Sequence, residues 1–321
     1  MTEDDSHNLG RRLKERGKLM ARRAFESGQR LGIDVLPRHF YSQIPDIKEL
    51  RSTDHWRRPR SLVGIEGTAI EDQRAFVREC CTPEIVQRLH GRDIHAEACN
   101  ANGASGYGPI EAAFLYCMIA VRRPQRVVQV GAGVSTAVVL TAAAEAGYDV
   151  ELVCVDPYPT GYLLDGARQG HIELIDRPVQ LVDPAILSDL GPGGLLFIDS
   201  THTVKVGSDV NYVVLEVLPR LGESQLVHFH DITLPYDYAP SILENDLFFW
   251  NETALVAAFL VGNSRFRLLA SLSMIHHEDP DALREVLPWY EPVSQAGGLS
   301  VGLGHFPSSA YLEAVPRALG A

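Results

Sequence analysis

Beyond residue 108, short apolar runs alternate with stretches whose apolar positions recur at helical spacing. Arg126-Val-Val-Gln-Val130, Val150 to Val155, Gly194 to Ile198 and Gln225 to His230 each read as a strand. Weaker strand signals lie around residues 172–182, at Phe266 to Leu272, and at Gly298 to Gly304. Between them, helical spacing runs through Ala112–Val121, Val134–Ala146, the segment carrying Leu163, Leu164 and Ala167, Val204–Leu221, and residues 280–287. A further helix is expected from an Asn251 cap through Val261. Gly108-Pro109-Ile110-Glu111 has the form of a helix start, because Pro is tolerated in the first turn and Glu there complements the dipole. This alternation predicts an α/β domain: a parallel, Rossmann-like sheet with helices on both faces.

The first hundred residues have a different texture. Residues 8–31 predict an amphipathic helix carrying Leu9, Leu13, Leu19, Met20, Phe25 and Leu31. Residues 34–65, with Pro37, Pro45 and Pro59, read as an irregular arm, and residues 70–90 as one or two helices broken at Thr82-Pro83. The expected organisation is a helical and irregular extension over 1–105 and an α/β domain over 106–321.

Charge follows the same division. The chain of 321 residues carries a net −12, yet residues 1–60 hold 14 Lys and Arg against 9 Asp and Glu. A net negative chain argues against a nucleic-acid partner, since phosphate neutralisation needs clustered cations. The basic side chains of the first helix (Arg11, Arg12, Lys14, Arg16, Lys18, Arg22, Arg23) read as a solvated face or a homo-oligomer contact on an acidic protein. A membrane surface or an acidic partner is the alternative. No run approaches the roughly 20 apolar residues of a membrane span. No secretory h-region precedes the first helix, and five cysteines without a C-x-x-C pair give neither a disulfide framework nor a zinc site. A reducing cytoplasm is the expected location.

The chemistry sits where strands end. In open α/β sheets, ligands bind beyond the carboxyl ends of the strands, and Gly131, Gly133, Asp156, Asp199 and Asp231 each follow a predicted strand. Glycines after the first strand allow a tight turn and a close ligand approach. Asp156 ends the second strand, where a carboxylate can accept ribose hydroxyls. The third position of a dinucleotide fingerprint is occupied by Thr136 rather than Gly or Ala, and no phosphate-binding G-x-x-x-x-G-K motif is present. Those features favour a nucleoside ligand without a pyrophosphate.

Residues 126–231 resemble the class I S-adenosylmethionine-dependent methyltransferases, and in particular the bacterial methyltransferase family 24 subgroup. The resemblance is carried by Val130-Gly-Ala-Gly-Val-Ser-Thr136, Val155-Asp156-Pro157, Phe197-Ile-Asp-Ser-Thr-His202 and His228-Phe-His-Asp231-Ile232, and it extends through Asn251 to Leu260. It implies seven strands in the order 3-2-1-4-5-7-6 with the last antiparallel. It implies S-adenosylmethionine as cofactor, with Gly131 and Gly133 beside the methionine moiety, Ser135 and Thr136 at the adjoining helix start, and Asp156 on the ribose. Asp199 and Tyr107 complete the expected cofactor surface. Gln129 stands where the family often has an acid, which removes a charge partner for the cofactor's amino group.

In the related catechol-type enzymes, acids at the fourth and fifth strand ends hold a divalent ion such as Mg2+, and Asp199 and Asp231 match those positions. The next residue is Ile232, where a further Asn or Asp ligand often stands. The metal-free alternative uses His202 or His230 as the base that takes the acceptor's proton, with Asp231 or Asp199 orienting it; the strand's inner His228 is expected in the core. Pro235-Tyr-Asp-Tyr238 and Phe248-Phe-Trp250 are expected to shape the acceptor pocket. Asp199-Ser-Thr-His202 after the fourth strand, in place of an Asn-Pro-Pro-Tyr type motif, favours oxygen over nitrogen in a small-molecule acceptor. Two other readings stand beside this one: a nicotinamide-dependent oxidoreductase, marked by preferential NAD binding, and a nucleoside-binding scaffold, marked by binding without turnover.

Overall fold

A computed structural model describes residues 3–36, 38–238, 243, 247–291 and 307–316. Two compact units divide the chain, Met1–Glu49 and Leu50–Ala321. The first contains helix α1, Glu3–Arg30, which starts earlier than its apolar pattern predicts. Leu19 and Met20 on this helix are exposed. Arg22 pairs with Glu26 one turn on, and Arg38 pairs with Asp46 in the following arm. Helix α2, Ile47–Ser52, begins at the end of this unit and leads into the second.

The second unit is built on a seven-stranded sheet: β1 (Arg126–Val130), β2 (Glu151–Val155), β3 (Glu173–Ile175), β4 (Leu195–Ile198), β5 (Leu226–Phe229), β6 (Phe266–Ser271) and β7 (Ala310–Ala314). Their order is β3-β2-β1-β4-β5-β7-β6. The first five are parallel, and β7 runs antiparallel to both its neighbours. The order and the one reversed strand are those expected from the resemblance. The segment expected to form the last strand, Gly298 to Gly304, lies outside the described residues.

Strand pleating divides the core in two. Val127, Leu152, Cys154, Leu195 and Phe197 face one side, while Val128, Val130, Val153, Leu196 and Ile198 face the other. Both faces are apolar because helices cover both, as parallel sheets require. On the first face lies α6 (Pro109–Arg122), apolar all round and buried from Ile110 to Ala120. Around it pack α3 (Ile70–Cys80), α4 (Pro83–Leu89), α5 (Ile94–Asn102) and α7 (Val134–Glu145). Phe76, Val77, Leu89, Ile94 and Ala98 belong to this core. The compact body therefore starts at Leu50, and the boundary expected at 105/106 is corrected: α3 to α5 are part of it.

Helix α5 has too few strongly apolar residues to announce itself by periodicity. Its ends are nonetheless well defined: Asp93 accepts from the Ala96 N–H at 2.9 Å, and Gly103 closes it with φ +73°. Helices α8 (Gly161–Arg168) and α9 (Pro184–Ser188) follow β2 and β3. The uniform helix expected from Val204 starts only at α10 (Asp209–Tyr212), capped by Ser208. It then widens to a π turn over Val213–Val217 and tightens to a 3-10 turn over Leu218–Arg220 at Pro219. Helices α11 (Glu252–Leu260), α12 (Leu272–Glu278) and α13 (Pro280–Val286) complete the described set. Among the described residues, no helix is long and apolar enough to cross a membrane.

Candidate functional site

The glycine loop after β1 sits directly against the end of β4. A Cβ added at Gly131, where φ is +81°, would lie 1.9 Å from the Asp199 carbonyl oxygen. Gly131 is thus required by the approach of two strand ends. Gly133 is roofed by the buried Asn102 of α5, whose amide lies 3.1–3.3 Å from where a Cβ would be. Asn102 accepts from the Thr160 hydroxyl at 2.8 Å. The part of the loop left open is Gly131-Ala132.

Beneath the loop is a closed polar knot. Gln129 is fully buried. Its carbonyl accepts from the Thr136 hydroxyl at 2.6 Å, and its amide donates to Ser135 Oγ at 3.1 Å. The Gly133 N–H donates to Thr136 Oγ1 at 3.0 Å. Ser135 and Thr136, expected on the cofactor surface, turn their hydroxyls inward to Gln129 and brace the loop from below. Asp156 is half-buried. Its carboxylate accepts from the Ala132 N–H at 3.2 Å and the Tyr158 N–H at 2.8 Å, one bond to each oxygen. Each oxygen keeps lone-pair capacity for a ribose hydroxyl, so the donor set fits a nucleoside.

The second half of the site comes from β4 and β5. These strands are in register with Ile198 opposite Phe229, so their ends are level. The ladder continues one step: the Asp199 N–H donates to the Val130 carbonyl and the His230 N–H to the Ile198 carbonyl, both at 2.8 Å. Asp199 is thereby set beside His230. The chain then turns at His202 (φ +56°) and, after β5, at Asp231 (φ +53°). Left-handed backbone is uncommon for such residues and persists only where the surroundings enforce it.

Those turns bring four side chains into a closed ring. His202 Nε2 lies 3.4 Å from Asp199 Oδ1 and 3.5 Å from Asp231 Oδ2. His230 Nδ1 lies 3.3 Å from Asp199 Oδ1 and 3.5 Å from Asp231 Oδ2. Both imidazoles are buried, while the Asp199 and Asp231 side chains remain 31% and 24% exposed. The ring is therefore reachable from its carboxylate side.

An outer layer holds each member. Glu252, in the first turn of α11, pairs with His202 Nδ1 at 2.8 Å and accepts from Ser200 at 3.3 Å. The His202 carbonyl in turn accepts from the N–H groups of Asn251 and Glu252. Glu111 of α6 comes within 4.0 Å of His230 Nε2. Ser308, just before β7, gives its N–H to Glu111 at 2.7 Å and its hydroxyl to Asp231 Oδ1 at 2.8 Å. Gly108 makes room for this, since a Cβ there would fall 1.9 Å from the Glu111 carboxylate.

The charges interact strongly. Burial pulls the His202 pKa down, but bonds to Asp199 and Glu252 and the charge of Asp231 push it up to about 10. His230 is likewise opposed by burial and raised to about 9 by Asp231 and Asp199. Burial opposes ionisation of Asp199, yet the positive charges of His230 and His202 beside it hold its carboxyl well below the usual range. Burial raises Glu111 and Glu252, each offset by its neighbouring histidine. His228 is a core residue: burial and the charge of His230 drive its pKa far down, and its Nε2 meets the Tyr107 hydroxyl at 3.2 Å.

Two aromatic rings wall the ring of ligating atoms. Tyr107 lies over His230 with centroids 4.7 Å apart, so it belongs to the β4–β5 end as well as to the loop before α6. Trp250 lies against His202 at 4.7 Å and stacks on Phe248. Asn251 is the N-cap residue of α11, as expected, but its side chain makes no capping bond; its Oδ1 accepts from the Val204 N–H instead.

The sequence reading missed Asn102, Glu111's role at His230, Glu252 and Ser308. A signal existed for the two acids. Each is the single charged residue in the first turn of an otherwise apolar helix, which is an unfavourable place for a charge without a partner.

Residues 128–232 match the sequence profile of a family described as a methyltransferase domain. A protein of unassigned function from Archaeoglobus fulgidus is 28% identical over 166 residues, 48% of this chain and 72% of its own length. Among solved structures, the S-adenosylhomocysteine-bound methyltransferase from Podospora anserina is similar at 11% identity, covering 88% of this chain and 99% of that one, with a TM-score of 0.41. A methyltransferase from Geobacter sulfurreducens follows at 14% identity, covering 73% and 90%, with a TM-score of 0.37. The matched segment runs from β1 to just past β5, inside a sheet of the expected order. The likeness to a methyltransferase domain therefore covers β1 to β5 and the loops that end them.

Proposed function

We propose that the protein transfers the methyl group of S-adenosylmethionine to a hydroxyl oxygen of a small-molecule acceptor. The observation that supports this reading is the contact of Gly131 with the Asp199 main chain, which places the nucleoside loop edge to edge with the ring of Asp199, His202, His230 and Asp231. Asp156 takes the ribose hydroxyls, and the open Gly131-Ala132 segment receives the methionine end. The acceptor hydroxyl meets the exposed side of Asp199 and Asp231, under the walls made by Tyr107 and Trp250.

The reaction is an in-line displacement: the acceptor oxygen bonds to the methyl carbon while the carbon–sulfur bond breaks and its electron pair stays on sulfur. The positive charge of the sulfonium disappears, and the acceptor's proton passes to water or to the unprotonated form of His230, a form that Asp231 and Asp199 confine to alkaline pH. Holding the oxygen in line is worth several kcal/mol of barrier. Asp199 and Asp231 are the carboxylates that would hold a divalent ion, whose contribution when bound is Lewis acidity at the acceptor oxygen. A net charge of −12 supports a small molecule over a nucleic acid as acceptor.

The test is calorimetric titration with S-adenosylhomocysteine, with Asp156→Ala as the partner variant, followed by an acceptor screen on hydroxyl compounds read by mass. Binding that is lost in Asp156→Ala supports the reading. A well-folded protein that binds no S-adenosyl ligand, or that methylates only nitrogen, overturns it.

A further inference from the structure

The ring at the ends of β4 and β5 has the composition and the surroundings of a transition-metal centre. Asp199, His202 and His230 already bring one ligating atom each within 4.8 Å of one another, and Asp231 Oδ2, 3.5 Å from either imidazole, stands on the far side and must move toward Asp199 to join them. Two adjacent ligands on an ion with bonds of about 2.1 Å stand about 3.0–3.4 Å apart, so the first three need only small inward shifts. An ion entering the ring displaces the protons of both imidazoles, and the two carboxylates that then remain carry −2, which a dication neutralises.

The outer layer points the same way. The far nitrogen of His202 is held by Glu252 at 2.8 Å, which leaves Nε2 directed into the ring. The far oxygen of Asp231 is held by Ser308 at 2.8 Å, which leaves Oδ2 directed inward. Carboxylates and hydroxyls behind the ligands in this way orient them and raise their basicity. A separate observation comes from His230: its Nδ1 is buried and makes no well-aligned hydrogen bond, although two carboxylate oxygens lie within 3.5 Å. A buried polar atom without a partner needs an explanation, and an ion at the centre of the ring provides one.

We propose that Asp199, His202, His230 and Asp231 together bind one divalent first-row transition-metal ion, such as Zn2+, Co2+, Mn2+ or Fe2+, in preference to Mg2+. Imidazole pairs favour these ions, whereas magnesium favours an all-oxygen shell. The two partly exposed carboxylates mark the side on which further positions stay open for the acceptor. This assignment deepens the reading given under Proposed function and rests on it for the role of the metal, but not for its binding.

The test uses the full chain stripped with a chelator and titrated with Co2+, read by its visible absorption bands, and by metal analysis after dialysis. The expected result is about one equivalent per chain, not displaced by a large excess of Mg2+. His230→Ala is expected to abolish the bands. Glu252→Gln is expected to keep the bands but weaken binding about 10–100-fold, the usual effect of removing an outer partner. S-adenosylhomocysteine binding, measured on the same samples, reports that the variants are folded. No Co2+ bands in protein that binds S-adenosylhomocysteine, Mg2+ binding at least as tight, or bands indifferent to His230→Ala would each overturn the metal assignment while leaving the methyltransferase reading intact. Metal binding without any S-adenosyl binding would leave the metal assignment and overturn the other.

Discussion

Gln129 offers the sharpest test of how the cofactor loop is held. Many relatives of this fold are expected to carry an acid at this position, so Gln129→Glu tests whether the side chain faces the cofactor or the interior. The structure puts it wholly inside, bonded to Thr136 and Ser135, with no cation among its hydrogen-bond partners. A carboxyl there is nearly isosteric when protonated and strongly penalised when ionised. Full burial raises a carboxyl pKa by about 3 units or more, and each unit is worth about 1.4 kcal/mol. An unfolded Glu titrates near about 4.3, so the folded pKa lies above the unfolded one and stability falls as pH rises through that window.

Gln129→Glu is therefore expected to cost about 1 kcal/mol near pH 4, from the altered hydrogen bonds. It is expected to lose about 4 kcal/mol more by pH 8, with a slope of about 1.4 kcal/mol per pH unit between about pH 4.3 and the raised folded pKa. Gln129→Leu, which cannot ionise, should cost about 2–4 kcal/mol from two incompletely satisfied hydroxyls, with no such slope relative to the parent. Urea unfolding from pH 4 to pH 8 measures all three proteins. A Gln129→Glu protein as stable as its parent at pH 8, and binding S-adenosylhomocysteine more tightly, would refute the interior placement.

Three further outcomes follow from contacts already described. Gly131→Ala must move a Cβ away from the Asp199 carbonyl at 1.9 Å and also adopt a φ of +81°; the backbone penalty alone is about 1–2 kcal/mol, and a calorimetric loss of S-adenosylhomocysteine affinity of at least about tenfold is expected. Asn102→Ala removes the roof over Gly133 and the acceptor for Thr160; circular dichroism should stay native while S-adenosylhomocysteine binding weakens. Phe114→Ala in the centre of α6, a fully buried ring packed against Phe76 and Tyr311, should cost about 3–5 kcal/mol in denaturant unfolding.

The strand–helix alternation was legible because parallel strands covered on both faces are written as unbroken apolar runs, such as Val127-Val128 and Leu195 to Ile198. The polar residues ending those runs marked the edge on which the ring forms. Less legible was anything that depends on contacts between distant segments. Asn102 and Ser308 are ordinary polar residues in sequence, and only folding sets them on the glycine loop and on Asp231. Ser135 and Thr136 misled for a local reason: a hydroxyl at a helix start can face a ligand or turn under the loop, and Gln129 decides which. The boundary near residue 105 misled because α3 to α5 carry short, interrupted apolar stripes that acquire meaning only against α6 and α7.

The insertion of β7 between β5 and β6 has a consequence for the order of events during synthesis. The Ser308 N–H reaches back 197 positions to Glu111, and its hydroxyl holds Asp231. A nascent chain that has emerged through β6 can assemble its five parallel strands, but β6 has no neighbour until Ala310–Ala314 arrives to fill the gap. Such distant pairings form late, because loop closure must precede the contacts that reward it. The sheet edge of β5 is therefore open to wrong partners from the emergence of β5 until that of Ala310–Ala314. The same strand that closes this edge also sets Ser308 in place, so Asp231 gains its hydroxyl partner only once β7 has been made.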